Sequence, residues 1–270
     1  MRKILPTTPL IFILSTTLCW SQPKYVATTT PISRDHSYFQ RSAAPDYWAL
    51  SPYYAHQQTG SACSIASVTM IVNAALSSRD LDSETPLATQ DSVLTRTGDL
   101  NWNVAVGGIQ SESFGERISR STRYLFKNGP SFIQGVTLDQ LGNLTEKALR
   151  AHGFAEVKVE VVHAEDQSEI MKQKLRQTLI ENEKTSSDFL LINFTQGTYT
   201  GDEGAGHISP VGAYDSEKKR VLVMDVDRKW YEPYWVSEET LLQGMATQDK
   251  TSMKNRGWVR IRLNSQSSGR

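Results

Sequence analysis

The chain is poor in cysteine: 270 residues carry two, Cys19 and Cys63. That excludes a disulfide-rich scaffold. With no CxxC or HExxH spacing and five scattered histidines, it also offers no zinc-ligand pattern. Neither sign of charge is in excess, with 29 Lys plus Arg against 29 Asp plus Glu, so nothing points to nucleic acid or to an anionic membrane surface. No internal repeat or low-complexity tract breaks the chain. No apolar run reaches the ~20 residues that a membrane-spanning helix needs.

What the sequence does have begins at its first residues. In "MRKILPTTPLIFILSTTLCWSQPKYV", Arg2 and Lys3 precede a short apolar run from Ile11 to Trp20, and Ser21 is a small residue at its exit. This is the pattern of a secretory signal peptide, so residues 1–21 are expected to be removed and the protein exported to the periplasm or beyond. A lipoprotein reading at Cys19 is the weaker alternative, because Leu18 stands where a small residue is needed. Cleavage after Ser21 leaves Cys63 as the single cysteine of one domain over 22–270, with no membrane attachment. An unpaired thiol outside the cytoplasm is an oxidation liability. Cys63 is therefore either a small buried hydrophobe or a group with chemistry to do.

Local pattern sharpens the choice. From Ser64 to Leu76 the residues are almost all small or apolar, which predicts a buried helix, and the turn residues Gly60 and Ser61 put Cys63 at its N-terminus. There the unpaired N–H groups and the helix dipole favour thiolate over thiol. Residues 22–45 and the tail "NSQSSGR" read as loose ends, while the stretch from Ser77 to about Pro130 is polar, with "SSRDLDSETP" a loop and "GDLNWNVAVGG" rich in turn signals. Further on, Thr137 and Gln140 form a capping box before a helical stripe that Gly153 ends. "EVKVEVV" alternates as a strand, and Ser168 to Glu183 has helical spacing. "FLLINFT", "HISPVGAYD", "RVLVMDV" and "GWVRIRL" read as strands. Helices first and a sheet later predict an α+β domain.

His207 opens one strand and Asp225 closes another eighteen residues later, so an antiparallel hairpin sets them side by side. A carboxylate there fixes the imidazole tautomer and stabilises the imidazolium, the orienting role in a Cys-His-Asp triad. His36, His56, His152 and His163 compete with His207, and Asp227 competes with Asp225. A nucleophile on a helix N-terminus, followed by His and acid from a sheet, is the chain order of papain-like cysteine proteases.

The run "GHISPVGAYDSEKKRVLVMDVDRKWYEPYWV" resembles the phytochelatin synthase family, whose hallmark is GH[FI]SP followed by DVxRxxYxPxWV. Asp225, Arg228, Tyr231, Pro233 and Trp235 stand at that spacing. Gln57 lies six residues before Cys63, and "VNAAL", "GVTLDQL" and "RGWVRI" match as well. The departures are Ala62 and Ser64, where the family usually has an aromatic residue and Gly, and a long stretch between Ala75 and Gly135. The family's Cys-rich extension has no counterpart in this sequence.

The resemblance implies a papain-like fold and glutathione as substrate. It makes Cys63 the nucleophile, His207 the acid-base and Asp225 its partner, with the Gln57 amide and the Cys63 backbone N–H as the oxyanion hole. Asp249 and Arg256 fall where the family recognises the γ-glutamyl amino and carboxylate groups. It implies no required cofactor, heavy-metal ions entering only as thiolates of the substrate, and a homodimer. Hydrolysis of the acyl-enzyme is expected to outweigh transpeptidation. The alternative is an exported papain-like peptidase or amidase acting on another peptide.

Overall fold

The computed structural model describes residues 23–79, 84–106, 135–202 and 206–263. The expected signal segment 1–21 and the tail "NSQSSGR" lie outside them. Among the described residues, α1 (Pro45–Leu50), α2 (Cys63–Ser77), α3 (Gln90–Thr97), α4 (Leu100–Ala105) and α5 (Leu138–Ala151) precede most of the sheet. Its strands are β1 (Thr29–Pro31), β2 (Val157–His163), β3 (Asp188–Thr195), β4 (Gly206–Asp215), β5 (Arg220–Val223), β6 (Tyr234–Ser237) and β7 (Gly257–Leu263). Helices α6 (Glu169–Asn182) and α7 (Glu238–Met245) complete the fold.

The seven strands pair antiparallel in the order β1-β6-β5-β4-β3-β7-β2. Both faces of the sheet are covered. Phe189 and Leu191 of β3 join a core with α2, α3 and α5, while Leu190, Ile192 and Phe194 join a second core with Leu175 of α6 and Leu241 of α7. Burial on both faces is why "FLLINFT" is an unbroken apolar run rather than an alternating one. The α+β class read from the sequence is the observed one.

Helix α2 is the centre of the first core. Every residue from Cys63 to Leu76 is buried. Burying Ile65, Val68, Met70, Ile71 and Val72 is worth about 1.5–3 kcal/mol each. Inside so apolar a setting a polar group needs a partner, and Ser67 Oγ donates to Ile208 O at 3.1 Å. That bond fixes the turn after Cys63 to the residue after His207.

The expectation of loose chain over 22–45 is corrected for the described part, residues 23–45. Thr29–Pro31 pairs with β6, Tyr25 bridges Thr200, and Gly201 N donates to Lys24 O at 3.1 Å. Tyr38 donates to Tyr214 O at 2.8 Å and packs edge-on against Trp235 with centroids 5.4 Å apart. These partners are distant in sequence, so no local periodicity announces them. Helix α4 likewise stands within "GDLNWNVAVGG", a run rich in turn signals, and α3 lies in the polar stretch before it.

Candidate active site

Cys63 is the first residue of α2, and Ala62 before it gives no side-chain cap. The first N–H groups of the helix are therefore uncapped by a side chain and face whatever anion forms at the cysteine. Cys63 is buried and free of any disulfide.

His207 reaches it from β4. Strand β4 pairs with β5 through a bulge between Val211 and Ala213, and Gly212 in the bulge leaves room for Met224, whose Cγ lies 2.8 Å from where a Cβ would stand. Met224 N donates to Pro210 O at 2.9 Å, which carries the pairing beyond β5 and brings Asp225 level with His207. The His207 Nε2 to Asp225 Oδ1 distance is 2.7 Å. Nε2 being taken, Nδ1 is the nitrogen left for the Cys63 thiol, which interacts with the imidazole. The ring of Phe194 stands edge-on to it, centroids 5.5 Å apart.

The electrostatics follow from burial and pairing. Burial disfavours an imidazolium, but the Asp225 carboxylate and then the Cys63 sulfur outweigh it and raise the His207 pKa well above the ordinary value. Burial of Asp225 works against its charge, and the imidazole, Asp227 N and Tyr234 together hold its pKa below normal. Asp227 N donates to Oδ1 at 2.9 Å and the Tyr234 hydroxyl to Oδ2 at 2.7 Å. Tyr54 adds a bond from its hydroxyl to Asp225 O.

The other residues singled out from sequence fall around this centre. Gln57 is buried, its backbone N donates to Val226 O at 2.9 Å, and its Oε1 has no partner among the described residues. The Arg256 guanidinium lies over Gly206, where a Cβ would come within 2.8 Å of Nη2. Its Nη1 donates to Gln248 O at 2.6 Å, and its buried Nε has no partner among the described residues. Burial lowers the Arg256 pKa, against the pull of nearby Asp249. Asp249 shapes its own turn, accepting from Thr251 N at 2.9 Å and from Ser252 Oγ at 3.2 Å.

The competing histidines stand elsewhere. His152 is bonded to Ala148 O, His163 spans Asn255 O and Asp139, and His56 lies 3.3 Å from Val226 O. Tyr234, Tyr54 and Ser67 were not foreseen. An aromatic in a strand and a serine in a buried helix carry no signal of what they touch.

Residues 130–258 match the family model described as phytochelatin synthase. This stretch of the chain is similar to the phytochelatin synthase family. The match includes His207, Asp225, Asp249 and Arg256, and the fold brings Gln57 and Cys63, which precede the matched range, to the same centre. A glutathione gamma-glutamylcysteinyltransferase of Arabidopsis thaliana is 34% identical over 79 residues, 28% of this chain and 16% of that protein. The Schizosaccharomyces pombe protein of that name is 31% identical over 86 residues, 32% of this chain and 20% of that protein. A Lotus japonicus relative is 41% identical over 58 residues, 22% of this chain and 12% of that protein. The aligned segments thus span a fifth or less of these relatives. The arrangement of the Cys63 helix against an antiparallel sheet carrying His207 and Asp225 is an α+β one and fits the papain-like fold that the resemblance implies.

Proposed function

We propose that this protein cleaves the Cys–Gly bond of glutathione through a γ-Glu-Cys acyl-enzyme. The observation that carries the reading is the convergence of Cys63, His207 and Asp225 in a chain matched to this family. The ion pair of a Cys63 thiolate and a His207 imidazolium, held by buried Asp225, is the attacking form. The thiolate adds to the peptide carbonyl, and negative charge develops on its oxygen. Two donors meet that charge, the Cys63 backbone N–H at the head of α2 and the Gln57 side-chain amide; losing one such donor typically costs roughly 10²–10³ in rate.

His207 then passes a proton from Nδ1 to the departing glycine nitrogen as the C–N bond breaks. With the glycine gone, His207 is neutral and acts as base. Water gives γ-Glu-Cys; the amine of a second glutathione gives (γ-Glu-Cys)₂-Gly. We favour water as the main acceptor. The Arg256 guanidinium over Gly206, with an Nε that has no partner among the described residues, supports its taking the γ-glutamyl carboxylate, and by the resemblance Asp249 takes the amino group. No cofactor enters these steps, and a heavy-metal ion takes part only as a thiolate complex of the substrate. The residue pattern of 1–21 supports export as the setting of this chemistry.

The test is mass spectrometry of residues 22–270 incubated with glutathione, with and without cadmium, beside Cys63→Ala. Glycine and γ-Glu-Cys that vanish in the variant support hydrolysis. (γ-Glu-Cys)₂-Gly appearing mainly with cadmium makes the protein a transferase. Intact glutathione in every sample overturns the substrate and leaves a cysteine peptidase of another specificity.

A further inference from the structure

The stretch 84–106 carries none of the residues used above, yet it is bonded to the loop that leads into Cys63. The contacts fall on closely spaced residues of that loop and on the first turn of α2. Gln90 Nε2 donates to His56 O at 2.7 Å, and Gln90 Oε1 accepts from Gln58 N at 3.4 Å. Thr59 Oγ1 donates to Val106 O, and Trp102 Nε1 donates to Ser64 Oγ at 3.0 Å.

The two Gln90 bonds have a specific consequence for residue 57. In an extended chain the carbonyl of residue 56 and the N–H of residue 58 point to one side, and the N–H of residue 57 points to the other. A single side-chain amide that donates to the first and accepts from the second does what a neighbouring strand would do. On the opposite side, Gln57 N donates to Val226 O at 2.9 Å. The Gln57 backbone is therefore gripped from both sides. Its side chain is not gripped through its oxygen, since Oε1 has no partner among the described residues. Moving the Gln57 backbone therefore moves the amide it carries. Gln90 itself is buried on the first turn of α3, 5% exposed, so the grip is not a passing surface contact.

We propose that Gln90 is a positioning residue that aims the Gln57 amide at the developing oxyanion. The proposal rests on Gln57 serving as an oxyanion donor to an acyl-enzyme, and does not depend on glutathione being the acyl donor. It also gives the stretch 84–106 a role, because Gln90 of its helix α3 holds the loop that leads into Cys63.

The experiment separates attack at carbon, which needs no oxyanion hole, from attack at a carbonyl, which does. Alkylation of Cys63 by iodoacetamide and acylation by p-nitrophenyl acetate are followed in the wild type, Gln90→Ala, Gln57→Ala and the double variant, all as residues 22–270 and with thermal melting recorded. Gln90→Ala is expected to slow acylation about ten-fold, short of the roughly 10²–10³ of losing a donor outright, with alkylation unchanged. In the Gln57→Ala background the same substitution should have no further effect, because residues acting through one another are not additive.

Equal slowing of both reactions, or an undiminished Gln90 effect without Gln57, would reduce Gln90 to a structural role and overturn the proposal. No effect of Gln57→Ala on acylation would overturn it too. Because neither reagent is glutathione, these results stand apart from the substrate assignment.

Discussion

Asp225 is fully buried and keeps its charge because each of its oxygens is occupied, Oδ1 by His207 and Asp227 N, Oδ2 by Tyr234. The Asp225 and His207 positions were legible from the hairpin spacing and the family hallmark. Tyr234 was not, since the hallmark leaves that position open and a tyrosine in "YWV" reads as core. It is core as well: its ring packs edge-on against Tyr25 at 5.7 Å and Tyr231 at 6.2 Å, so the phenyl ring fills space while the hydroxyl acts on the carboxylate. Tyr234→Phe keeps the packing and removes the donor. A hydrogen bond to a charged group is worth about 1.5–3 kcal/mol, so turnover is expected to fall about ten-fold or more with little change in KM. The sign on pH is fixed: the Tyr234 bond helps to depress the Asp225 pKa, and its loss raises it. Asp225 must be ionised to hold the imidazolium. The acid limb of Cys63 alkylation by iodoacetamide therefore moves to higher pH in the variant. An unmoved limb would show that the hydroxyl only packs.

At the scale of elements, legibility tracked how local the cause was. The capping box of Thr137 and Gln140, the stripe of α5 and the left-handed Gly153 are short-range chemistry, and that helix lies where the sequence put it. "GWVRIRL" is β7 residue for residue. By contrast β1 is a three-residue strand held by β6, some two hundred residues along the chain, and nothing within a few residues of it says so. Helix α3 is the instructive case. Its own residues are polar enough to read as loop, and it stays helical because it is capped by Thr89 and tied to α2. The tie is Asn73, buried in α2, whose Nδ2 donates to Ala88 O at 2.9 Å and whose Oδ1 accepts from Ala88 N at 2.7 Å. Asn73→Ala leaves both backbone groups of buried Ala88 without partners, a loss of about 1–3 kcal/mol for each group left unsatisfied. Thermal melting should fall accordingly, and limited proteolysis should cut first within 84–106. Unchanged melting would mean that water replaces the amide and that the tie contributes little.

At the scale of the whole molecule, the far end of the sheet holds carboxyls that the chemistry does not use. Asp46 is fully buried; Asn182 Nδ2 donates to its Oδ2 at 2.7 Å, and Asp46 Oδ1 and Asn182 Oδ1 have no partners among the described residues. A proton on Asp46 Oδ1 would let it donate to that amide oxygen and close an acid–amide ring. Burial pushes the Asp46 pKa well above the ordinary range, against the Asn182 bond, and the charges of Glu183 and Asp188 push the same way. Burial likewise raises Glu183 from 4.5 to about 7, although Tyr214 N and the Tyr38 hydroxyl both donate to it. For both groups the folded pKa exceeds the unfolded one, so the folded state holds protons that the unfolded chain releases. The stability they contribute is full below about pH 4; the Glu183 part is lost as pH rises through about 7, and the Asp46 part as pH rises through its own raised pKa. Asp35 and Asp225, depressed in the folded state, contribute with the opposite sign and are lost on the acid side. The melting temperature should accordingly pass through a maximum and decline through neutrality. Asp46→Asn fixes the neutral shape, with an amide N–H in place of the acid proton, so it should raise the melting temperature above pH 7 and leave it nearly unchanged at low pH. Equal melting curves at high pH, or a variant less stable throughout, would mean that Asp46 is charged in the fold and matched by a cation, and the burial argument would fail with it.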